Sequence, residues 1–292
     1  MENSIYNKKS RPLDNILLVL IYLAMIITVV ILLSIIGYVT YRGISKVNWE
    51  FISTVPSTIN QTFGILGNIV NTLYIIIITL LIALPIGIGS AIYLNEYAKN
   101  AKFVRIIEFT TETLAGIPSI IYGLFGMVFF GITLNLKFSI LCGSLTLTIM
   151  ILPLIIRTTT ESLRTVPKGY RDGAIGMGST KWYMIRTIIL PSATPGIVTG
   201  TILAMGRIIG ESAALLFTAG SVYLLPKNLF THIFNSGGTL TIQMYLSMSK
   251  AEYDNAFGVG FVLLCLVFLL NMITKLILSR SKNNLWKRNK DG

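Results

Sequence analysis

Between Asp14 and Arg42 the chain runs for 27 residues without a charge. A hydrocarbon core about 30 Å thick needs only about 20 mostly apolar residues of helix to cross it. A secretory leader carries an apolar stretch of about 7–15 residues before a small-residue cleavage site. This run is too long for that and shows no such site, so it predicts an uncleaved spanning helix over Asn15–Tyr41. Five more runs of spanning length follow, over Ile69–Tyr93, Thr113–Leu136, Phe138–Ile156, Thr194–Phe217 and Asn255–Thr274. Little more than Lys137 separates the third from the fourth, which predicts a tight hairpin there. The expected fold is an all-α integral membrane protein with six transmembrane helices.

Composition agrees. Charged residues make up 12% of the chain, about half the roughly 25% of an ordinary soluble domain, and the mean hydropathy is +0.72. Lipid and neighbouring helices must cover such a surface. The net charge of +12 would suit nucleic acid or an anionic membrane. Here the basic residues gather at the ends of apolar runs and no nucleic-acid module is recognisable, so topology accounts for them. Cys142 and Cys265 both fall inside apolar runs, without the spacing of a disulfide framework or a metal site, and read as packing residues.

Charge also orients the chain. With the N-terminus inside, the inner segments hold 18 Lys and Arg and the outer segments five. By the positive-inside rule both termini are cytoplasmic. The organisation that follows is an N-terminal tail over 1–14, a six-helix domain over 15–278 and a C-terminal tail over 279–292. A polar loop over 161–190 lies between the fourth and fifth spans. The basic tails are expected to be poorly ordered and near anionic headgroups. Of the outer loops, Ala219–Asp254 is the longer, and it has room for a short helix or re-entrant piece that could meet an extracytoplasmic partner. A simple covering loop fits equally well, and His232 within it receives no role. No repeat of 20–50 residues is visible.

The loop over 161–190 is too polar to span and reads as two short helices. Thr165 is placed to cap the first, with Pro167 in its opening turn. Gly178 suits the left-handed residue that ends it, and Ser179 caps a second helix over Thr180–Leu190. Gly173, Ala174, Gly176 and Gly178 leave a thin surface open to close approach. Arg171 and Asp172 flank that surface, and Met177 is available for a partner groove. Composition alone fits a solvated linker just as well; the order of the residues decides.

Arg171-Asp172-Gly173-Ala174, then Gly178, then Ile188-Ile189-Leu190-Pro191 resembles the EAA loop of ABC importer permeases. The family pattern is Glu-Ala-Ala, a Gly four residues on, then Ile-x-Leu-Pro. Asp172 departs from it in place of Glu, and Gly173 in place of Ala, a change that weakens a helix by up to about 1 kcal/mol. The resemblance implies a coupling helix that seats in a groove on an ATPase subunit, through Arg171, Asp172, Gly173, Ala174, Met177 and Gly178. Three further stretches resemble phosphate permeases of that class: Gly116–Gly126, Leu152–Thr159 and Gly206–Ala213. Leu216–Gly220 and Leu240–Tyr245 are more similar to the PstA-type subunit than to its PstC-type paralogue. The implied partners are a PstC-like permease, a PstB-like ATPase dimer, an extracytoplasmic phosphate-binding protein and membrane lipid, without nucleic acid. ATP and Mg would belong to the ATPase, since this chain has no G-x-x-x-x-G-K-[ST] loop and no zinc or nucleophile motif. It is therefore expected to be neither an enzyme nor a cofactor carrier on its own.

Arg207 lies 13 residues beyond Thr194 in the fifth apolar run, or roughly 20 Å along a helix at about 1.5 Å per residue. A charge at that depth costs at least ~2.5 kcal/mol on insertion scales. Glu211 follows at i+4, on the same face of a continuous helix. The pair fits a self-neutralising contact facing the bundle. It also fits an anion path, in which the planar guanidinium holds a tetrahedral oxyanion and Glu211 steadies Arg207 or keeps binding weak enough for release. The phosphate-permease resemblance implies the second. Sulfate, molybdate or phosphonate remain alternative substrates, and a gradient-driven secondary transporter or a membrane scaffold are rival readings.

Overall fold

The computed structural model describes residues 12–56, 62–226 and 228–288, and among these every regular element is a helix. The chain passes through α1 (Pro12–Ile44), α2 (Trp49–Ser53) and α3 (Leu66–Ile92), which ends in a π-helical turn over Tyr93–Tyr97. Next come α4 (Ala101–Ala115) and α5 (Ser119–Gly126), the latter prolonged by a π turn over Met127–Thr133. α6 (Ile140–Arg164), α7 (Lys168–Gly176) and α8 (Lys181–Met184) follow, and a π turn over Ile185–Ile189 leads into α9 (Leu190–Gly210). The remainder is α10 (Ala213–Thr218), a short 3-10 turn over Thr231–Phe234, α11 (Leu240–Ser249) and α12 (Tyr253–Arg288).

Among the described residues, five helices are long and apolar enough to cross a membrane, over Leu13–Ile44, Leu66–Tyr97, Ile140–Arg164, Lys181–Gly210 and Tyr253–Leu276. A sixth crossing exists only if α4 and α5 are taken together, and they are bent by 97° at their junction. The continuous third span expected over Thr113–Leu136 is therefore corrected. Gly116 closes α4, and Pro118 stands before α5 with ψ 138°. The proline ring disfavours helical backbone at the residue before it. The Tyr122 hydroxyl donates to the Leu114 carbonyl at 2.8 Å, satisfying an acceptor that the end of α4 leaves open. α4 itself is amphipathic and capped by Asn100, whose side chain accepts the Lys102 and Phe103 N–H groups. The fifth span is displaced from the expected Thr194–Phe217: it starts earlier, running over Lys181–Gly210, and α9 stops at Gly210 and does not run on to Phe217.

α6 is the central post of the bundle, with Leu147, Ile151 and Ile155 buried along it. Small residues let its neighbours come close, as is usual between helices in lipid. A Cβ at Gly87 of α3 would overlap Ile155, one at Gly200 of α9 would overlap Thr158, and one at Gly126 of α5 would overlap Thr146. α1 is the exception. Its apolar side chains from Leu13 to Ile36 are exposed. It meets the bundle near its C-terminal end, where Gly43 abuts the Phe257 backbone and Tyr38 meets the Phe257 ring edge-on at 5.5 Å.

At the end of the bundle away from α7, a polar clasp binds the 219–239 segment to α3. The Asn68 amide donates to Gly238 O at 3.0 Å and that of Asn71 to Val222 O at 3.2 Å. The Leu240 N–H donates to the Thr72 hydroxyl at 3.0 Å, starting α11. His232 is buried and its Nε2 lies 2.8 Å from Asn71 Oδ1. Because the Asn71 amide nitrogen is committed to carbonyls, its oxygen accepts and Nε2 carries the hydrogen. His232, given no role from sequence, is thus a structural tie between loop and helix. The loop also contains the short helix for which its length left room.

Candidate functional site

Arg207 sits on the last turn of α9 and is half-buried. Among the described residues it has no ion-pair partner; the pairs that form are Arg157–Glu161, Arg164–Glu108 and Arg171–Glu96. Gly206 and Gly210, on the flank of α9 beside it, have open space where a side chain would be, whereas Gly200 is used in packing. Glu211 does not continue the helix. Its ψ of 123° turns the chain, its carboxylate accepts the Ala214 N–H at 3.1 Å, and its carbonyl accepts the Thr241 hydroxyl of α11 at 2.9 Å. The two residues adjoin, but the i+4 face expected for them is broken by the end of α9.

The polar segment at the other end is built differently from its sequence reading in two details. Thr165 ends α6, and Pro167 stands before α7 in its place. Thr180 caps α8 by accepting the Tyr183 N–H at 3.3 Å, while the Ser179 hydroxyl is buried without a partner. Gly178 has φ +81°, the left-handed conformation expected of it. Asp172, Gly173, Met177 and Gly178 are exposed, Met177 by 90%, and Tyr170 and Ile175 extend the same apolar surface. Ala174 instead packs inward against Leu163, Val166 and Met184. Arg171 also turns inward, donating to Glu96 Oε1 at 2.8 Å and to the Val166 and Leu163 carbonyls.

Residues 83–283 match the family of binding-protein-dependent transport system inner membrane components. The chain belongs to that family. It is a permease component of an ABC-type importer and a multi-spanning membrane protein. It is 38% identical over 226 residues to the probable ABC transporter permease protein YqgI of Bacillus subtilis, covering 74% of this chain and 76% of that one. It is 31% identical to the phosphate transport system permease protein PstA of Haemophilus influenzae, covering 92% and 95%. With PstC of Mesorhizobium japonicum it shares 30% identity over 82% and 81%. Among solved structures, a bacterial alginate ABC transporter chain superposes with a TM-score of 0.66 at 16% identity, over 94% of this permease and 99% of that chain. A chain of the inward-facing MetNI methionine transporter gives 0.58 at 21%, over 74% and 94%. These last two likenesses speak to the fold alone.

The matched stretch contains α6 to α11, both ends of α9 and the whole polar segment of the permease. It also contains Glu96, a residue that sequence reasoning passed over as the end of an apolar run. Its partner Arg171 is 75 residues away, and no local pattern links them. A crevice of about 130 Å³ between α4 and α6 holds Glu108, Glu112, Arg157, Thr160, Glu161 and Arg164. Its two guanidiniums are already paired with carboxylates.

Proposed function

We propose that this permease is a PstA-type subunit carrying inorganic phosphate, with Arg207 contacting the anion and Glu211 closing α9 just beyond it. The observation that carries the reading is the half-buried Arg207, without an ion-pair partner among the described residues, beside an open glycine flank. A charge placed so costs free energy unless something compensates it, and a passing dianion supplies the compensation. Guanidinium gives two parallel donors to two oxyanion oxygens. The phosphate names of the PstA and PstC relatives support the same substrate.

In this reading both termini are cytoplasmic and α7 is the coupling helix. Its exposed face of Asp172, Gly173, Met177 and Gly178 seats on one subunit of a PstB-like ATPase dimer, while Arg171 and Ala174 hold it from behind. A PstC-like permease completes the path, and a phosphate-binding protein delivers the anion at the clasp end. ATP-driven closure of the ATPases moves the coupling helices and exposes the path alternately to each side. The deciding experiment is ATP-dependent uptake of inorganic phosphate by liposomes holding the whole complex, with and without Arg207→Gln. Uptake lost while assembly and hydrolysis persist supports the reading. Unchanged uptake removes Arg207 from the path, and sulfate or molybdate carried in place of phosphate overturns the substrate.

A further inference from the structure

Glu96 lies in the π turn that ends α3, a kind of helix distortion often found where function is concentrated. Its side chain is 5% exposed. Glu96 Oε1 accepts from Arg171 Nε at 3.1 Å, from Arg171 Nη2 at 2.8 Å and from the Asn95 amide at 2.7 Å. Arg171 also donates to Leu163 O in the last turn of α6, at 2.9 Å, and to Val166 O just beyond that helix, at 2.8 Å. Lys181, at the start of α8, donates to the Glu96 carbonyl and lies over the Tyr97 ring at 5.0 Å. A single turn of α3 is therefore bonded to α7, and through Lys181 to α8, while Arg171 ties the same point to α6.

The outer surface of α7 is the opposite case, since Tyr170, Ile175 and Met177 are all exposed. A displacement of α7 reaches α3 through Arg171, while α6 is met also through the cluster of Ala174 and Leu163. A fork held by four hydrogen bonds in a buried setting moves as a unit, whereas exposed ion pairs yield easily.

We propose that Glu96 is the positioning residue that passes movement of α7 into the spanning helix α3, so that ATP hydrolysis and opening of the path stay in step. This rests on the reading of α7 as the ATPase-docking helix. The test uses the complete transporter in liposomes and reads assembly, ATP hydrolysis, stimulation of hydrolysis by the loaded binding protein, and phosphate uptake. Glu96→Gln is expected to assemble and to keep basal hydrolysis, while stimulation disappears and phosphate moved per ATP falls by about tenfold or more. Glu96→Asp, which keeps a carboxylate, restores part of both. Arg164→Gln, which breaks an exposed pair elsewhere, leaves both unchanged. Normal stimulation and stoichiometry in Glu96→Gln overturn the proposal, and so does a loss of hydrolysis and uptake in equal proportion. If Glu96→Gln does not assemble, Arg171→Lys carries the same expectations, because lysine keeps the charge without the fork. Met177→Glu separates the underlying reading: if the ATPase still binds it with unchanged affinity, α7 is not the docking helix, whatever Glu96 does.

Discussion

The Glu211 carboxylate accepts the Ala214 N–H at 3.1 Å and does not pair with Arg207 one turn earlier. An acidic group is favoured at a helix start, where N–H groups lack partners. Glu211 therefore serves α10, and Arg207 keeps its donors. The two residues should respond differently to substitution. Glu211→Ala is expected to lower stability by about 1 kcal/mol, the usual worth of such a cap, with Glu211→Gln losing less because its amide oxygen still accepts. Thermal unfolding in detergent checks the order. A Glu211→Gln complex that loses uptake as fully as Arg207→Gln would show that the negative charge itself acts in the path.

Arg207→Lys keeps the charge but offers a point donor where a planar fork was. Losing one charge-assisted hydrogen bond, at ~1.5 kcal/mol, lowers uptake at subsaturating phosphate by about tenfold. Arg207→Gln removes the charge and should fall well below that. Equal activity of the lysine and arginine forms would mean that charge alone, without bidentate geometry, suffices.

The glycines of α9 divide by what faces them. Gly200→Val drives a side chain into Thr158 of α6 and is expected to destabilise the permease by about 1–3 kcal/mol, as overpacking does. Gly206→Ala projects into open space and adds helix propensity, so it should raise stability by up to about 1 kcal/mol. Unfolding midpoints of the two variants in one detergent give the comparison. Should the order reverse, the assignment of faces on α9 would be wrong.

Burial in the loop clasp holds His232 below its ordinary pKa. The folded state thus favours the neutral ring, and the unfolded chain takes up the proton first as pH falls. The stability that His232 supplies is complete above the unfolded value of about 6.5. It is lost as pH drops from there through the lower folded value. The unfolding midpoint should decline from pH 7.5 to pH 5, and His232→Gln should flatten that decline. A decline of the same size in the variant would assign it to other groups.

The spans were largely legible because lipid demands long apolar runs and the chain supplies them. Hydropathy does not report whether the backbone stays helical within a run. The break at Pro118 falls inside an uncharged stretch, and the end of α9 at Gly210, between Arg207 and Glu211, falls inside a run whose mean hydropathy carries on past it. Gly178 was legible because a left-handed turn selects glycine. Arg171 was legible as a residue of interest but not in its direction: its position in the segment predicted a flank, while Glu96 draws it inward from 75 residues away. His232 carried no signal, since a lone histidine in a loop has no pattern until Asn71 faces it.

α1 is joined to the bundle near one end and free along most of its length. Its 27 uncharged residues span about 40 Å at about 1.5 Å per residue, against a hydrocarbon layer of about 30 Å. A run longer than the layer is accommodated by leaning, kinking or local thickening of the bilayer. The contact of Gly43 and Tyr38 with Phe257 then acts as a pivot. A change in bilayer thickness is then taken up along α1, away from the glycines at which α3 and α9 press on α6.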